Sequence, residues 1–306
     1  MSEVEAVLAA TRLVQFAAAM ALVGAPAFAL GLAAWCPGFA AAEPGFARFL
    51  RRMLAAAALA AVASEAAWLD LEATSMGGSW GAALDPATLR AVLFETRFGH
   101  AWLWHMGLAA ALLALALAPA VGRVSGFVLV LLLGAAHAMG LAWAGHAMMR
   151  PGAGALAAQA IHILCGGLWL GSLPALYWLL ARARAAPSPA LDHAVRTLLP
   201  LYSRAGYFVV TILVLSGIAN SALLVGSAGA LVASAYGRVL LVKIALVLAM
   251  IAVALDNRLM LTPRILDRNP ASIASLARHV ALEQGLALLI LAAVSVLGLL
   301  PPALQQ

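Results

Sequence analysis

The chain has 306 residues, of which 65% are hydrophobic and only 10% charged, with a mean hydropathy of +1.02. A soluble globular chain carries about a quarter charged residues, so this composition excludes that class. The formal charge of +6 does not indicate nucleic acid, because the cations lie mainly between apolar stretches, where they orient a membrane protein.

Eight apolar segments follow one another, near 6–33, 49–71, 98–119, 125–147, 156–180, 199–225, 237–259 and 277–300. Each is close to the roughly 20 residues that a helix needs to cross a hydrocarbon layer about 30 Å thick. Alternating segments of half that length, the mark of a membrane barrel, do not occur. The expected fold is therefore all-α: a polytopic helical membrane protein with eight transmembrane helices, forming a single domain over residues 1–306. The opening MSEVEAVLAATRLVQF has acidic Glu3 and Glu5 and no basic n-region, so it reads as the start of the first span rather than a removed leader. The breaks CPGFAAAEPG, GGSWGAALDP, ARARAAPSP and TPRILDRNP contain the Pro, Gly and charged residues that punctuate helices.

Orientation follows from the cations. The loops after spans one, three, five and seven, with nearby span ends, hold twelve of the arginines, while the opposite side holds Arg12, Arg90, Arg97, Arg150, Arg238 and Lys243. The excess marks the first side as cytoplasmic, which places both termini in the periplasm. Cys36 and Cys165 then lie at opposite faces, too far apart to pair.

Ionisable residues inside a span are costly and have a partner or a role. On this topology His100, His105, His146 and His162 lie toward the outer side, and His137 lies near mid-membrane. The stretch GHAMMRPG at 145–152 puts His146, Met148 and Met149 at the outer end of span four. Thioether suits Cu(I) and imidazole serves both Cu(I) and Cu(II), while Met also packs adaptably at boundaries. A short turn brings His162 to the same face, three residues before Cys165 and hence on one helix face with it. His100 and His105 are five apart, about 140° around a helix, so only one faces a given site squarely. His105 suits either ligation or an interhelical hydrogen bond. His137 is about 13 Å along the axis from His146 and on the opposite helix face, so the two do not share an ion. Glu65 and Glu283 read as buried carboxylates that either carry a cation or proton or neutralise Arg12 or Lys243, the structural pair being preferred for Glu283.

Several stretches in order resemble the copper resistance protein D (CopD) family: TRFGHAWLWHMG at 96–107, GHA at 145–147, IHILCGGLWLGSLPAL at 161–176, YSRAGYFVVTILVLSGIANS at 202–221, YGRVLLVKIALVLAMIAVALDNR at 236–258, Glu283 and the terminal PP at 301–302. The resemblance implies an eight-span protein of the bacterial inner membrane that handles copper between periplasm and cytoplasm, with His146 and His162 matching the family's histidines. It also implies a separate periplasmic copper donor of the CopC type, since no such domain is visible here.

The expected function is copper acceptance at the periplasmic face and movement toward the cytoplasm, with His146 and His162 as ligands and Met148, Met149, His100 and His105 as further donors. Membrane lipid is the other expected partner. Two alternatives stand beside it: a b-type haem oxidoreductase with axial histidines on facing helices, and a copper chaperone or assembly partner that binds without transporting. No Walker A, DKTG or HExxH stretch occurs, so an enzyme is not expected.

Overall fold

A computed structural model describes residues 2–118, 122–142, 153–267 and 270–303. Those residues are helical, with no strand among them. The principal helices are α1 (Glu3–Trp35), α3 (Pro44–Gly77), α5 (Arg97–Leu117), α6 (Val124–Gly140), α7 (Ala153–Leu170), α8 (Leu173–Ala185), α9 (Pro189–Val225), α11 (Ala235–Asp256) and α13 (Pro270–Leu297). Shorter pieces connect them: α2 (Phe39–Ala42), α4 (Pro86–Glu95), α10 (Ala228–Ala233) and α12 (Thr262–Leu266).

Among the described residues seven segments are long and apolar enough to cross a membrane, with α7 and α8 read as one segment and α11 read through to Leu266. The eighth expected span corresponds to α6, whose 17 residues rise only about 26 Å. Its expected continuation to residue 147 lies outside the described residues beyond 142, as do His146, Met148 and Met149.

Three boundaries differ from the hydropathy reading. The helices α1 and α3 run to 33 and 34 residues, past the apolar stretches at both ends, because hydropathy reports the part in hydrocarbon and not the capped ends in water. Ser2 caps α1 in a capping box with Glu5. Span six is the last part of a 37-residue helix that continues through Pro200. In the stretch between spans two and three, taken as a loop from its glycines, a short 3₁₀ turn at Trp80–Leu84 precedes α4, which Asp85 caps through the Ala87 and Thr88 amides.

Helix α1 is the central element and packs against α3, α6, α7 and α13. Small residues let the backbones meet. A Cβ at Gly24 would lie 2.2 Å from the Gly171 carbonyl carbon, and one at Gly134 would lie 2.5 Å from the Leu22 oxygen. In hydrocarbon, where burial gives helices no hydrophobic drive to associate, such close approach supplies the packing.

Candidate metal centre

The α1–α6 contact at Gly134 and the α1–α3 contact bring four polar side chains into one buried pocket. Gln15 comes from α1, Glu65 from α3, His105 from α5 and His137 from α6, and none is more than 5% exposed. Gln15 is 12 residues, about 18 Å, from the start of α1, and His105 is about 12 Å from the start of α5.

Glu65 organises the pocket. Its Oε1 accepts from Gln15 Nε2 at 2.6 Å and lies 3.3 Å from His105 Nδ1. The indole of Trp102 donates to the Glu65 carbonyl at 2.8 Å, tying α5 to α3 at the same level. With His105 Nδ1–H donating to the carboxylate, the lone pair of that ring sits on Nε2. This carboxylate–imidazole order raises ligand basicity and fixes the tautomer in metal sites. The rings of His105 and His137 are 5.1 Å apart at 59°.

Gly140, one turn beyond His137, makes room for this arrangement. A Cβ there would stand 2.4 Å from His105 Nε2, so only glycine leaves the imidazole edge its place against α6.

Glu65, His105 and His137 each offer one donor atom, and the three atoms lie within 4.8 Å of one another. Two donors bound at about 2 Å to one ion are at most about 4 Å apart, so small side-chain rotations close the set on a metal. Four atoms of this pocket, Glu65 Oε2, His105 Nε2 and both ring nitrogens of His137, are buried without a hydrogen-bond partner. Each such atom costs ~1–3 kcal/mol, and an ion between them turns that cost into coordination. Two imidazoles and a carboxylate form a borderline donor set suited to copper and other late divalent ions, and the carboxylate supplies negative charge where a cation would otherwise be unpaired.

Of the expected site residues, His100, His105 and His162 are among those described, and they lie apart. His105 is at the centre, joined by Glu65 and His137. His100, one helical turn and a half away, is exposed and outside the pocket. His162 is on α7, where its Nδ1 lies 3.0 Å from the Leu213 carbonyl and 3.1 Å from Ser216 Oγ on α9. It therefore bridges two helices other than those of the pocket. An apolar cluster that includes Phe16, Met20, Ala138 and Ile163 packs along α1, α6 and α7. Cys36 and Cys165 are both buried free thiols.

The ion pairs considered for the buried carboxylates are replaced by neutral partners. Arg12 forms no ion pair with Glu65; its guanidinium lies about 6 Å over the rings of Phe16 and Trp68. Glu283 takes Asn257 Nδ2 at 2.6 Å rather than Lys243, and Asn257 Oδ1 accepts from His279 at 2.8 Å.

A family model described as the copper resistance protein D-like N-terminal domain matches residues 1–157, which contain Glu65, His105 and His137, and one described as copper resistance protein D matches residues 196–297. The chain is 31% identical over 258 residues to the inner membrane protein YebZ of Escherichia coli, covering 83% of this chain and 86% of that one. It is 32% identical over 269 residues to the copper resistance protein D of Pseudomonas syringae, covering 83% and 85%. The copper transport protein CutJ of Bacillus subtilis is 32% identical over 55% of this chain and 31% of its own length. No solved structure matches.

Proposed function

The chain belongs to the copper resistance protein D family, and we propose that it binds copper inside its helix bundle at Glu65, His105 and His137 and moves it across the inner membrane, inward from the periplasm. The observation that carries this reading is the convergence of three buried ligating side chains, four of whose nitrogen and oxygen atoms have no hydrogen-bond partner. The names of two relatives, copper resistance protein D and copper transport protein, support copper as the cargo, and that of a third supports the inner membrane.

On this reading the cation excess of the loops orients eight crossings, α6 among them, with both termini periplasmic. The pocket then lies on the periplasmic side of the midplane. A periplasmic carrier of the CopC type delivers the ion, and His146, Met148 and Met149 form its point of entry. Glu65 compensates the ion's charge while it is out of water, and its bond to His105 holds the Nε2 lone pair toward the pocket. The role is transport rather than catalysis.

Copper content of purified protein tests the proposal. The wild type is expected to carry close to one copper per chain and His105→Ala/His137→Ala close to none. Equal copper in a well-folded double variant overturns the site.

A further inference from the structure

A second cavity lies far from the copper pocket, and it carries a different chemistry. It has a volume of about 310 Å³ and sits between α1, α8, α9, α11 and α13, with Phe28, Trp169, Tyr202, Val210 and Ala254 among its walls. This is within the ~300–1,000 Å³ of ligand pockets, which combine apolar walls with a few polar groups.

Its depth in the membrane follows from helix lengths. The C-terminal end of α9, at Val225, packs with Tyr236 near the start of α11 and with Leu297. From that level Tyr207 is 18 residues away on α9, about 27 Å, and Arg258 is 23 residues beyond Ala235, about 35 Å. Both therefore stand at the far boundary of a ~30 Å hydrocarbon layer. The rim faces outward from the bundle: Trp35, Tyr207 and Leu255 line the cavity and are 41–45% exposed. Aromatic residues at this level are the mark of the lipid–water interface.

The rim is also cationic. Arg258 lies 3.6 Å over the Tyr207 ring and donates to Ser203 Oγ at 2.9 Å. Arg204 does not itself line the cavity but follows the lining residue Ser203, is exposed, and is on the same helix side as the lining residue Tyr207. Among the described residues neither arginine has a carboxylate within 4.0 Å. The one carboxylate in the lining, Glu283, already accepts from Asn257 Nδ2, so it leaves the guanidinium charge uncompensated.

We propose that this cavity is a binding site for an anionic phospholipid, with the phosphate at Arg204 and Arg258 and one acyl chain in the apolar space between α1, α9 and α13. A guanidinium fork matches phosphate oxygens, the aromatic rim matches the headgroup level, and the apolar walls match a hydrocarbon chain. A free anion would satisfy only the first of these features.

Protein stripped of lipid in a neutral detergent is titrated with dioleoyl phosphatidylglycerol, with phosphatidylcholine of the same chains, and with inorganic phosphate. Binding is read by native mass spectrometry. Phosphatidylglycerol is expected to be retained selectively, with affinity falling about five-fold in Arg258→Gln or Arg204→Gln and about thirtyfold in the double variant. Ala254→Trp, which fills the cavity and spares both arginines, is expected to release the lipid as well. Equal retention of phosphatidylcholine, competition by inorganic phosphate alone, or wild-type binding by the double arginine variant overturns the site. The two arginine variants alter exposed or half-exposed groups, so they test it even where Ala254→Trp fails to fold.

Discussion

Glu65→Gln is the perturbation that best separates a metal site from a structural polar cluster. The substitution keeps the volume and leaves an amide oxygen to accept from Gln15 Nε2, now at 2.6 Å from Glu65 Oε1, and from His105 Nδ1. Those bonds lose their charge assistance, roughly 1 kcal/mol each. Against that, a fully buried carboxylate with one unpartnered oxygen is no longer desolvated, and the effective penalty for such an ion is several kcal/mol. The balance predicts a copper-free variant at least as stable as the wild type. Copper affinity moves the other way: loss of the anionic donor leaves the cation uncompensated, for which ~3–5 kcal/mol, or about 10² to 10⁴-fold, is the expected scale. The assay is paired: thermal unfolding of the metal-free protein, and copper titration against a competing chelator. A variant that unfolds earlier while binding copper normally would refute the reasoning, because Glu65 would then be a structural anchor only.

Gly140→Ala is expected to reduce copper binding sharply, since its Cβ would fall 2.4 Å from His105 Nε2; metal titration checks it, and unchanged affinity contradicts the assigned ring position. His162→Ala is expected to keep full copper content in the pocket while losing the bridge from α7 to Leu213 and Ser216, a cost of ~0.6 kcal/mol by typical interhelical values, read from copper stoichiometry and melting temperature. Gly171→Leu drives a side chain into the Met20 carbonyl and is expected to abolish a monodisperse fold on size-exclusion chromatography. Asp85 caps α4 outside the spans, and its bonds to Thr88 and Ala87 hold its carboxyl below the ordinary value of 3.8. Because the folded value is depressed, the cap's contribution is complete above that ordinary value and is lost as pH falls through the folded one. Amide exchange in residues 86–95 is expected to quicken under that acidification in the wild type, and to be fast and indifferent to pH-driven uncapping in Asp85→Ala.

The membrane architecture was legible because twenty-residue apolar runs have one solution in hydrocarbon, a helix that satisfies its own backbone. What hydropathy could not supply was the end of each helix, as α9 demonstrates: residues 189–198 are polar enough to read as loop, yet they continue the same helix. The site was half legible. His105, Glu65 and His137 each stand out as polar residues in apolar segments, but sequence spacing relates residues only along one helix. Their convergence depends on α1, α3, α5 and α6 meeting in space, which Gly134 and Gly140 permit. Two glycines in helix-compatible phase around a histidine, at 134, 137 and 140, were the available sign that this face of α6 meets another backbone. The short turn from GHA to His162 suggested a pair of His146 with His162; His146 lies outside the described residues, and His162 Nδ1 is engaged with α9.

The most direct test of the account is X-ray absorption at the copper edge of the metal-loaded protein. Coordination by Glu65, His105 and His137 predicts a nitrogen and oxygen shell near ~2 Å with imidazole scattering and no sulfur shell at ~2.3 Å, and its loss in His105→Ala/His137→Ala. A sulfur shell that persists in that double variant would contradict the account and move the copper to the methionines at 148 and 149.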